Sequence, residues 1–393
     1  MELKPKMLPE GDVEGFYVHV PFCFHKCHYC DFYSITRQSR DRMVGFVDLV
    51  LREADLWVGG GPSVKPRTVF FGGGTPSLLP LDCMKRLIGG LRERFDFSLC
   101  DEWTVEANPA TVEGDYCGML KDAGVTRMSF GAQTFGHGEL KTLERHHDPE
   151  DVGKSVQMAR AAGIGRINVD LIYGIPGQDL GSWARSLETA LELGTPHVSC
   201  YGLTYEPNTP MAVKKRMGLI RAVDEEVELK MNAHTRRRLA EAGRPAYEVS
   251  NYAVAGEECR HNLMYWNGGN YVGLGPSAAS HVRGWRWKNR PHLGEWEVAV
   301  KEARVPAAEV EELSPRHRAG ELAMLMLRLT RGLEFDVFAS RTGMDAREMF
   351  ADPIGRFCGA GLLEMDERGV RLKESGWAVA DGVAAEFLTV TGR

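Results

Sequence analysis

Three cysteines near the N-terminus, Cys23, Cys27 and Cys30, have a spacing that suits metal chemistry. Iron–sulfur clusters usually take four cysteine thiolates. A [4Fe–4S] cluster held by only three would leave one iron with an open position, as a catalytic zinc site does. Aromatic neighbours would limit the access of water to such a cluster: Phe22, Phe24, Tyr29, Phe32 and Tyr33. The spacing therefore predicts a cluster that can bind a further ligand.

Two other interpretations of these cysteines stay open. A structural zinc site needs a fourth ligand, which the segment offers at His25, His28 or Asp31. A disulfide is disfavoured because the number of cysteines in the segment is odd and because cytosolic thiols stay reduced. The other six cysteines are scattered, and we expect them to be packing residues because free cysteine is often buried: Cys83, Cys100, Cys117, Cys200, Cys259 and Cys358.

The composition is that of an ordinary globular protein. The 393 residues are 43% hydrophobic and 26% charged, which is compatible with a large α/β domain and a smaller second one. The net charge of −6 gives no basic field, so nucleic-acid binding is disfavoured. The N-terminal residues do not resemble a signal peptide, and no run approaches about 18 apolar residues. We therefore expect a cytoplasmic protein without a transmembrane segment.

Strand and helix patterns alternate from residue 15 to residue 204. Such alternation predicts a parallel sheet with covering helices. Six units rather than eight predict an α/β fold with a partial, TIM-like (β/α)6 barrel. The predicted strands are residues 15–20, 68–71, 103–106, 126–130, 166–172 and 197–203.

The pattern changes after the last predicted strand. Residues 223–242 predict one charged amphipathic helix, and residues 247–287 predict a loop-rich stretch dense in Gly, Asn and aromatic residues. Short helices and a hairpin with its turn near residues 366–369 then predict a small winged-helix-like module. With no strong basic cluster, this module is expected to be a scaffold rather than a DNA-binding unit. The predicted division is an N-terminal extension (1–14), a core domain (15–245) and an α-rich C-terminal region (246–393).

Glycines and carboxylates follow several of the predicted strands. In parallel α/β barrels, ligand sites lie at the carboxyl ends of the strands. The run Gly72, Gly73 and Gly74 lacks side chains, so a ligand could approach its backbone closely. Glu106 and Asp170 could accept hydrogen bonds from ligand hydroxyl or ammonium groups. The structural alternative is a flexible turn and two solvated carboxylates.

The motif C-x3-C-x2-C, with Tyr29 as the aromatic residue before the last cysteine, resembles that of the radical S-adenosylmethionine (SAM) superfamily. The resemblance implies that the open iron chelates the amino and carboxylate groups of SAM. The segments YVHVPFC, FGGGTPS, RMSFGAQTF and NVDLIYGIPGQ are similar to those of the oxygen-independent coproporphyrinogen III oxidase family. Together with Tyr29, the positions that match this family's SAM contacts are Tyr17, Gly73, Gly74, Thr75, Glu106, Gln133, Arg145 and Asp170.

Two features depart from the oxidases of that family. The oxidases carry a motif of the form C-x3-C-x2-C-x-C, with a fourth cysteine two residues after the third, whereas this chain has Phe32 at that position. The segment HNLMYW resembles the H-N-x-x-Y-W signature of the HemW-type subgroup, which are haem chaperones. Imidazole is a common ligand of haem iron and aromatic rings can stack on a porphyrin. The implied haem-binding residues are His261, Asn262, Tyr265 and Trp266, with His281 as a secondary candidate.

The resemblance implies a haem chaperone that contains a [4Fe–4S] cluster, uses SAM and lacks coproporphyrinogen oxidase activity. Haem would be its cargo, respiratory cytochromes its acceptors, and a further protein its electron donor. Two enzymatic alternatives remain, namely coproporphyrinogen III oxidase and a radical SAM methyltransferase. Whether the chain is an enzyme, forms a homodimer or contacts a membrane surface stays open.

Overall fold

The computed structural model describes residues 2–389, and one eleven-stranded sheet forms its largest part. The strands of this sheet are β1 (Asp12–Val20), β2 (Ser63–Gly73), β3 (Glu102–Ala107), β4 (Arg127–Gln133), β5 (Arg166–Tyr173), β6 (His197–Gly202), β7 (Asn251–Ala253), β8 (Tyr271–Leu274), β9 (Ala279–Val282), β10 (Trp285–Asn289) and β11 (Ala307–Glu312). Across the sheet they lie in the order β11-β10-β9-β8-β1-β2-β3-β4-β5-β6-β7.

The six predicted strands are confirmed as β1 to β6, and each pairs in parallel with the next. Helices connect them and cover the sheet, so the predicted α/β fold is also confirmed. The strands are largely buried on both faces, and buried polar residues such as Thr104, Ser129 and Asn168 alternate with apolar ones along them. The helices of this part are α1 (Arg40–Asp55), α2 (Leu81–Arg94), α3 (Gly114–Asp122), α4 (His137–Leu143), α5 (Pro149–Ala161), α6 (Leu180–Glu192), α7 (Pro210–Arg216) and α8 (Glu225–Glu241), with 3₁₀ turns at Pro5–Met7, Pro76–Leu78 and Pro109–Thr111.

The predicted loop-rich stretch, residues 247–287, contains more regular structure than its composition indicated. This stretch contains β7, β8, β9, part of β10 and a short helix, α9 (Arg260–Trp266). Strand β8 pairs in parallel with β1, placing Tyr271 beside Gly15, and β9 to β11 continue the sheet in antiparallel fashion. These strands are too short to show a clear period, and their pairing partners are distant in sequence. The division at residue 245 stays a prediction, since segments on both sides of it share one sheet.

The C-terminal region has a hydrophobic core of its own, which includes Phe338, Phe350 and Phe387. A three-stranded sheet accompanies its helices, and the predicted hairpin is confirmed by the antiparallel pairing of its last two strands. Among residues 2–389, no helix is both long and apolar enough to cross a bilayer. The remaining elements are α10 (Leu293–Lys301), α11 (Pro315–Met326), β12 (Leu333–Glu334), α12 (Phe335–Thr342), α13 (Ala346–Met349), α14 (Ala351–Gly359), β13 (Leu363–Met365), β14 (Gly369–Leu372), α15 (Glu374–Trp377) and α16 (Ala380–Thr389).

Candidate metal and cofactor site

A cavity of about 470 Å³ lies where the carboxyl ends of β1 to β6 meet. The segment after β1 carries all three predicted cysteine ligands, and each of them lines this cavity with a partly buried thiol. A short parallel pairing of Phe22 with Ile35 closes the loop that contains them. The residues of the predicted cofactor site that also line it are Tyr29, Gly73, Gly74, Thr75, Glu106, Gln133, Arg145 and Asp170.

Hydrogen-bond donors approach two of the three sulfurs. Thr75 Oγ1 donates to Cys23 Sγ at 3.6 Å, and Arg145 Nη1 donates to Cys27 Sγ at 3.7 Å. Burial raises the pKa of the Cys23 thiol and raises that of Cys30 to about 11. These thiols therefore keep their protons until a metal displaces them. A set of three soft sulfur donors with adjacent hydrogen-bond donors fits an iron–sulfur cluster.

The histidines proposed as a fourth zinc ligand have other neighbours. His25 Nε2 lies 3.9 Å from Glu144 Oε2, and His28 Nδ1 lies 3.7 Å from Glu144 Oε1. Lys214 Nζ is also 3.0 Å from His28 Nδ1. Both imidazoles therefore lie beside a carboxylate, and among the described residues neither ring forms a hydrogen bond with a cysteine sulfur. Asp31 lines the cavity as well.

Arg145 is held by the end of strand β4. Its Nη2 donates to the carbonyl oxygen of Gly131 at 2.5 Å, and the strand pairing shifts register between Gly131 and Gln133. Gln133 has a φ of +66°, which is uncommon for a residue other than glycine. Such a bulge redirects side chains at the end of a strand. It brings a buried guanidinium and an amide to the cavity next to the cysteine loop.

Two carboxylates that line the cavity come from β3 and β5, the strands on either side of β4. Glu106 Oε2 accepts a hydrogen bond from Gly73 N at 3.2 Å. Asp170 accepts hydrogen bonds from Ser129 Oγ and Asn168 Nδ2, each at 2.8 Å. Burial and the nearby Asp170 charge raise the pKa of Glu106 to about 8. The wall can therefore hold a carboxyl proton at neutral pH and release it when a cation or hydrogen-bond donor binds.

The glycine run has a structural reason that differs from the predicted one. A Cβ added at Gly72 would lie 2.8 Å from Glu106 Oε2, and one at Gly73 would lie 2.5 Å from the His19 ring. One at Gly74 would lie 2.7 Å from the backbone oxygens of Val20, at the end of β1, and of Phe22. Gly73 also has a φ of +101°. The chain's own packing therefore requires these glycines, whereas ligand approach to them stays a prediction.

Tyr17 lies apart from the other predicted SAM contacts. Its Oη is 3.1 Å from His19 Nδ1, and His19 Nε2 is 2.8 Å from the carbonyl oxygen of Tyr33. Burial lowers the pKa of His19 to about 4, so the ring is neutral. Nε2 then donates to the Tyr33 carbonyl and Nδ1 accepts from Tyr17. No feature of the sequence indicated a functional role for His19, because it lies within a predicted strand and outside the cysteine motif.

A second cavity, of about 880 Å³, adjoins the first. Its walls come from β1, β8, β9, β10 and α11, and it contains Tyr17, Tyr265 and His281 of the predicted residues. Three residues of the cysteine loop line both cavities: Lys26, Asp31 and Phe32. The two cavities are therefore neighbours across one exposed loop.

His261 lies behind the wall of the second cavity rather than in it. Its Nδ1 is 2.9 Å from Thr68 Oγ1 and its Nε2 is 2.9 Å from Tyr265 Oη. Burial lowers the pKa of His261 to about 3, so its ring is neutral. Since both ring nitrogens are engaged, neither is free for haem iron in this arrangement. The role of His261 as a haem ligand therefore stays a prediction, and in this structure its ring supports Tyr265.

The other residues of the HNLMYW segment are dispersed. Asn262 and Trp266 line neither of the two cavities. The Trp266 ring faces Arg328, whose Cζ is 5.6 Å from the ring centroid. On this seven-residue helix, residues four apart share a face, so His261 lies beside Tyr265. Asn262 and Trp266, each one position further along, face a different direction. Of the four predicted haem-binding residues, Tyr265 is the one in a cavity wall.

Comparison with known proteins matches two parts of the chain to family models. Residues 17–190 match the model of the radical SAM superfamily, and residues 313–379 match that of the HemN C-terminal domain. The protein named heme chaperone HemW of Lactococcus lactis is 32% identical over 375 residues, covering 95% of this chain and 96% of its own. Those of Bacillus subtilis and Mycobacterium tuberculosis H37Rv are 33% and 34% identical, covering 96% of this chain and 99% and 95% of theirs.

A solved structure shares the whole architecture. The coproporphyrinogen III oxidase HemN of Escherichia coli superposes with a TM-score of 0.83, covering 96% of this chain and 91% of that chain. Its sequence identity is 22%, so this likeness shows a common fold.

Proposed function

We propose a function for this chain from its family, since it belongs to the heme chaperone HemW family within the radical SAM superfamily. In this proposal the chain binds haem and delivers it to acceptor proteins, with the help of a [4Fe–4S] cluster and SAM. The observation that carries the proposal is an identity of 32–34% to proteins of that name over 95–96% of this chain.

Cys23, Cys27 and Cys30 are the proposed ligands of the cluster that the radical SAM domain implies. Their partly buried thiols line one cavity, and Thr75 and Arg145 donate to two of the sulfurs. Such donors stabilise sulfur anions and tune an iron–sulfur cluster. A cluster with three cysteine ligands, when bound, offers one iron to a chelating ligand and can supply an electron to it.

SAM is the proposed ligand of the remaining space in the first cavity. The buried Arg145 guanidinium can pair with the SAM carboxylate, because Arg binds carboxylates with directed hydrogen bonds. Glu106 and Asp170, which line the same cavity, can accept hydrogen bonds from the ribose hydroxyls and attract the sulfonium charge. Each end of SAM would thus meet a group of complementary charge or hydrogen-bonding character.

The cargo and the partners complete the proposal. Haem would be the cargo, respiratory cytochromes the acceptors, and a separate protein the electron donor, all in the cytoplasm. The exposed fractions of Phe24 (74%) and Phe32 (60%) on the cysteine loop support a site that meets other molecules. Nucleic acid is not a proposed partner, because the chain has a net charge of −6.

Anaerobic purification with cluster reconstitution, followed by haem titration, tests this function. We expect iron and sulfide in the protein, a saturable change in the visible haem spectrum, and no conversion of coproporphyrinogen III in the presence of SAM and a reductant. A protein that binds no haem, or one that produces protoporphyrinogen IX, would contradict the chaperone proposal. The second result would instead assign it as an oxidase.

A further inference from the structure

The second cavity has the shape and wall chemistry of a site for a large flat ligand. Its volume of about 880 Å³ lies in the range of small-molecule and cofactor sites, roughly 300–1,000 Å³. Aromatic and aliphatic side chains form much of its wall, and aromatic rings pack well against planar ligands. These side chains are Tyr17, Tyr33, Tyr265, Tyr271, Leu322 and Leu325.

Three cations of the same wall lack an acidic partner. Among the described residues, no carboxylate lies within salt-bridge distance of Lys26, Lys288 or Arg318. Arg318 is the half-buried one, and burial together with the nearby Arg283 and Arg341 lowers its pKa. A half-buried guanidinium without a counter-ion is costly unless an anion binds beside it.

The acids of the wall do not compensate for these cations. Glu321 is already paired with Arg286, which also contacts Glu311. Asp31 is exposed and lies on the cysteine loop, at the side shared with the first cavity. The wall therefore has an excess of positive charge around an aromatic interior. This combination favours a flat apolar ligand that carries carboxylates.

One tyrosine of the wall has an uncommitted hydroxyl. Tyr17 Oη contacts His19, Tyr265 Oη contacts His261, and Tyr33 Oη accepts from Leu293 N at 2.8 Å. No hydrogen bond involves Tyr271 Oη among the described residues, and this oxygen is not sealed from solvent. The His281 nitrogens are engaged with Gly269 O and Gly284 N.

We propose that the second cavity is the haem site, where Arg318 and the two lysines hold the propionates and the phenol oxygen of Tyr271 coordinates the iron. This inference rests on the proposed haem-chaperone function and adds the location of the cargo. Tyrosine is a known ligand of ferric haem. Coordination forms the iron–oxygen bond as the phenol loses its proton to solvent, and the iron stays ferric. SAM and the cluster remain in the adjoining cavity.

Two pairs of variants in the full-length, reconstituted protein test this site against ferric haem and metal-free protoporphyrin IX. Arg318→Gln removes the half-buried cation, and Arg316→Gln removes an exposed one from the same helix, α11. We expect Arg318→Gln to weaken both ligands about tenfold, as loss of one charge-assisted hydrogen bond does, and Arg316→Gln to leave both affinities unchanged. Equal affinities for the two variants would overturn the assignment of the cavity.

The second pair isolates the iron ligand. Tyr271→Phe keeps the ring and removes the hydroxyl. Tyr205→Phe does the same to a tyrosine outside the cavity whose hydroxyl has no hydrogen-bond partner among the described residues. We expect Tyr271→Phe to shift the ferric Soret band and weaken haem about tenfold, with no change for protoporphyrin IX. An unshifted Soret band would overturn Tyr271 as the ligand. Retained SAM binding shows that the variants fold, and a wild-type protein that binds no haem would refute the proposed function itself.

Discussion

The two cavities lie side by side but are assembled from different parts of the chain. The first is formed by the ends of β1 to β6 and the segments that follow them, so every βα unit contributes lining residues. The second combines β1 with strands and a helix from the second half of the chain. The hydrogen bond from Leu293 N to Tyr33 Oη, for example, joins residues that are 260 apart in the sequence. The comparison indicates that cofactor chemistry lies in local motifs here, whereas the proposed cargo site depends on long-range assembly.

The largest effect should come from removing a cluster ligand. Cys27→Ser takes away one of only three sulfurs, so we expect the reconstituted protein to lose its cluster and its visible iron–sulfur absorbance almost completely. Haem affinity should stay within about twofold of wild type, because no cysteine lines the second cavity. Cys358→Ser, in the C-terminal region, is the matched control and should retain the cluster. If Cys27→Ser lost haem binding together with the cluster, this would contradict the proposal that the two bind in separate cavities.

Removing the buried guanidinium should have the next largest effect. Arg145→Gln deletes the donor to Cys27 Sγ and the proposed partner of the SAM carboxylate. We expect SAM affinity, measured by calorimetry, to fall between about tenfold and a hundredfold, since hydrogen bonds to charged groups contribute roughly 1.5–3 kcal/mol. Lys141→Gln removes an exposed cation of α4 and serves as the control. Unchanged SAM affinity in Arg145→Gln would contradict the proposed role.

The pH dependence of SAM binding should follow Glu106. Its pKa of about 8 means that the carboxyl group is mostly protonated below that pH in the empty cavity. The sulfonium cation and hydroxyl donors of SAM favour the ionised form of Glu106, so SAM binding releases a proton. The affinity for SAM should therefore rise about tenfold per pH unit between pH 6 and 8. Calorimetry in buffers of different ionisation enthalpy detects that proton. Glu106→Gln should flatten the profile, and an equally steep profile in this variant would assign the proton to another group.

The smallest effect is expected at Phe32, one of the three residues that line both cavities. Phe32 is 60% exposed, so Phe32→Ala should change the free energy of unfolding by less than about 0.5 kcal/mol. It removes apolar surface from both walls, and we expect a loss of two- to fivefold or so in affinity for both SAM and haem. Titration of each ligand measures this directly. An effect on SAM alone would show that the second cavity does not hold haem.

Much of the fold could be predicted because its units repeat. Strands β1 to β6 are buried on both faces and separated by amphipathic helices, so each shows a clear pattern. Strands β8 to β11 are short, and β8 is fixed by its parallel pairing with β1 rather than by its own residues. A Cβ at Gly273 of β8 would lie 2.3 Å from the carbonyl oxygen of Ala279. Such tertiary constraints leave no periodic signal in the sequence.

The candidate site divides in the same way. The cysteine spacing and Glu106 could be predicted from motifs next to predicted strand ends, whereas Arg145 was implied by the family resemblance alone. The structure brings all of them to one cavity. The HNLMYW segment was also visible, but its buried position could not be read from residue types. An imidazole that binds iron and one that supports Tyr265 through a hydrogen bond look identical in sequence.

The most direct test of two separate cavities is a competition titration. Reconstituted protein is first saturated with isotope-labelled SAM under anaerobic conditions, and ferric haem is then added while the Soret band and the retained label are measured together. The two-cavity account predicts that one haem binds per chain and that the label stays bound throughout. Displacement of SAM in proportion to bound haem would place both ligands in one cavity and contradict the account.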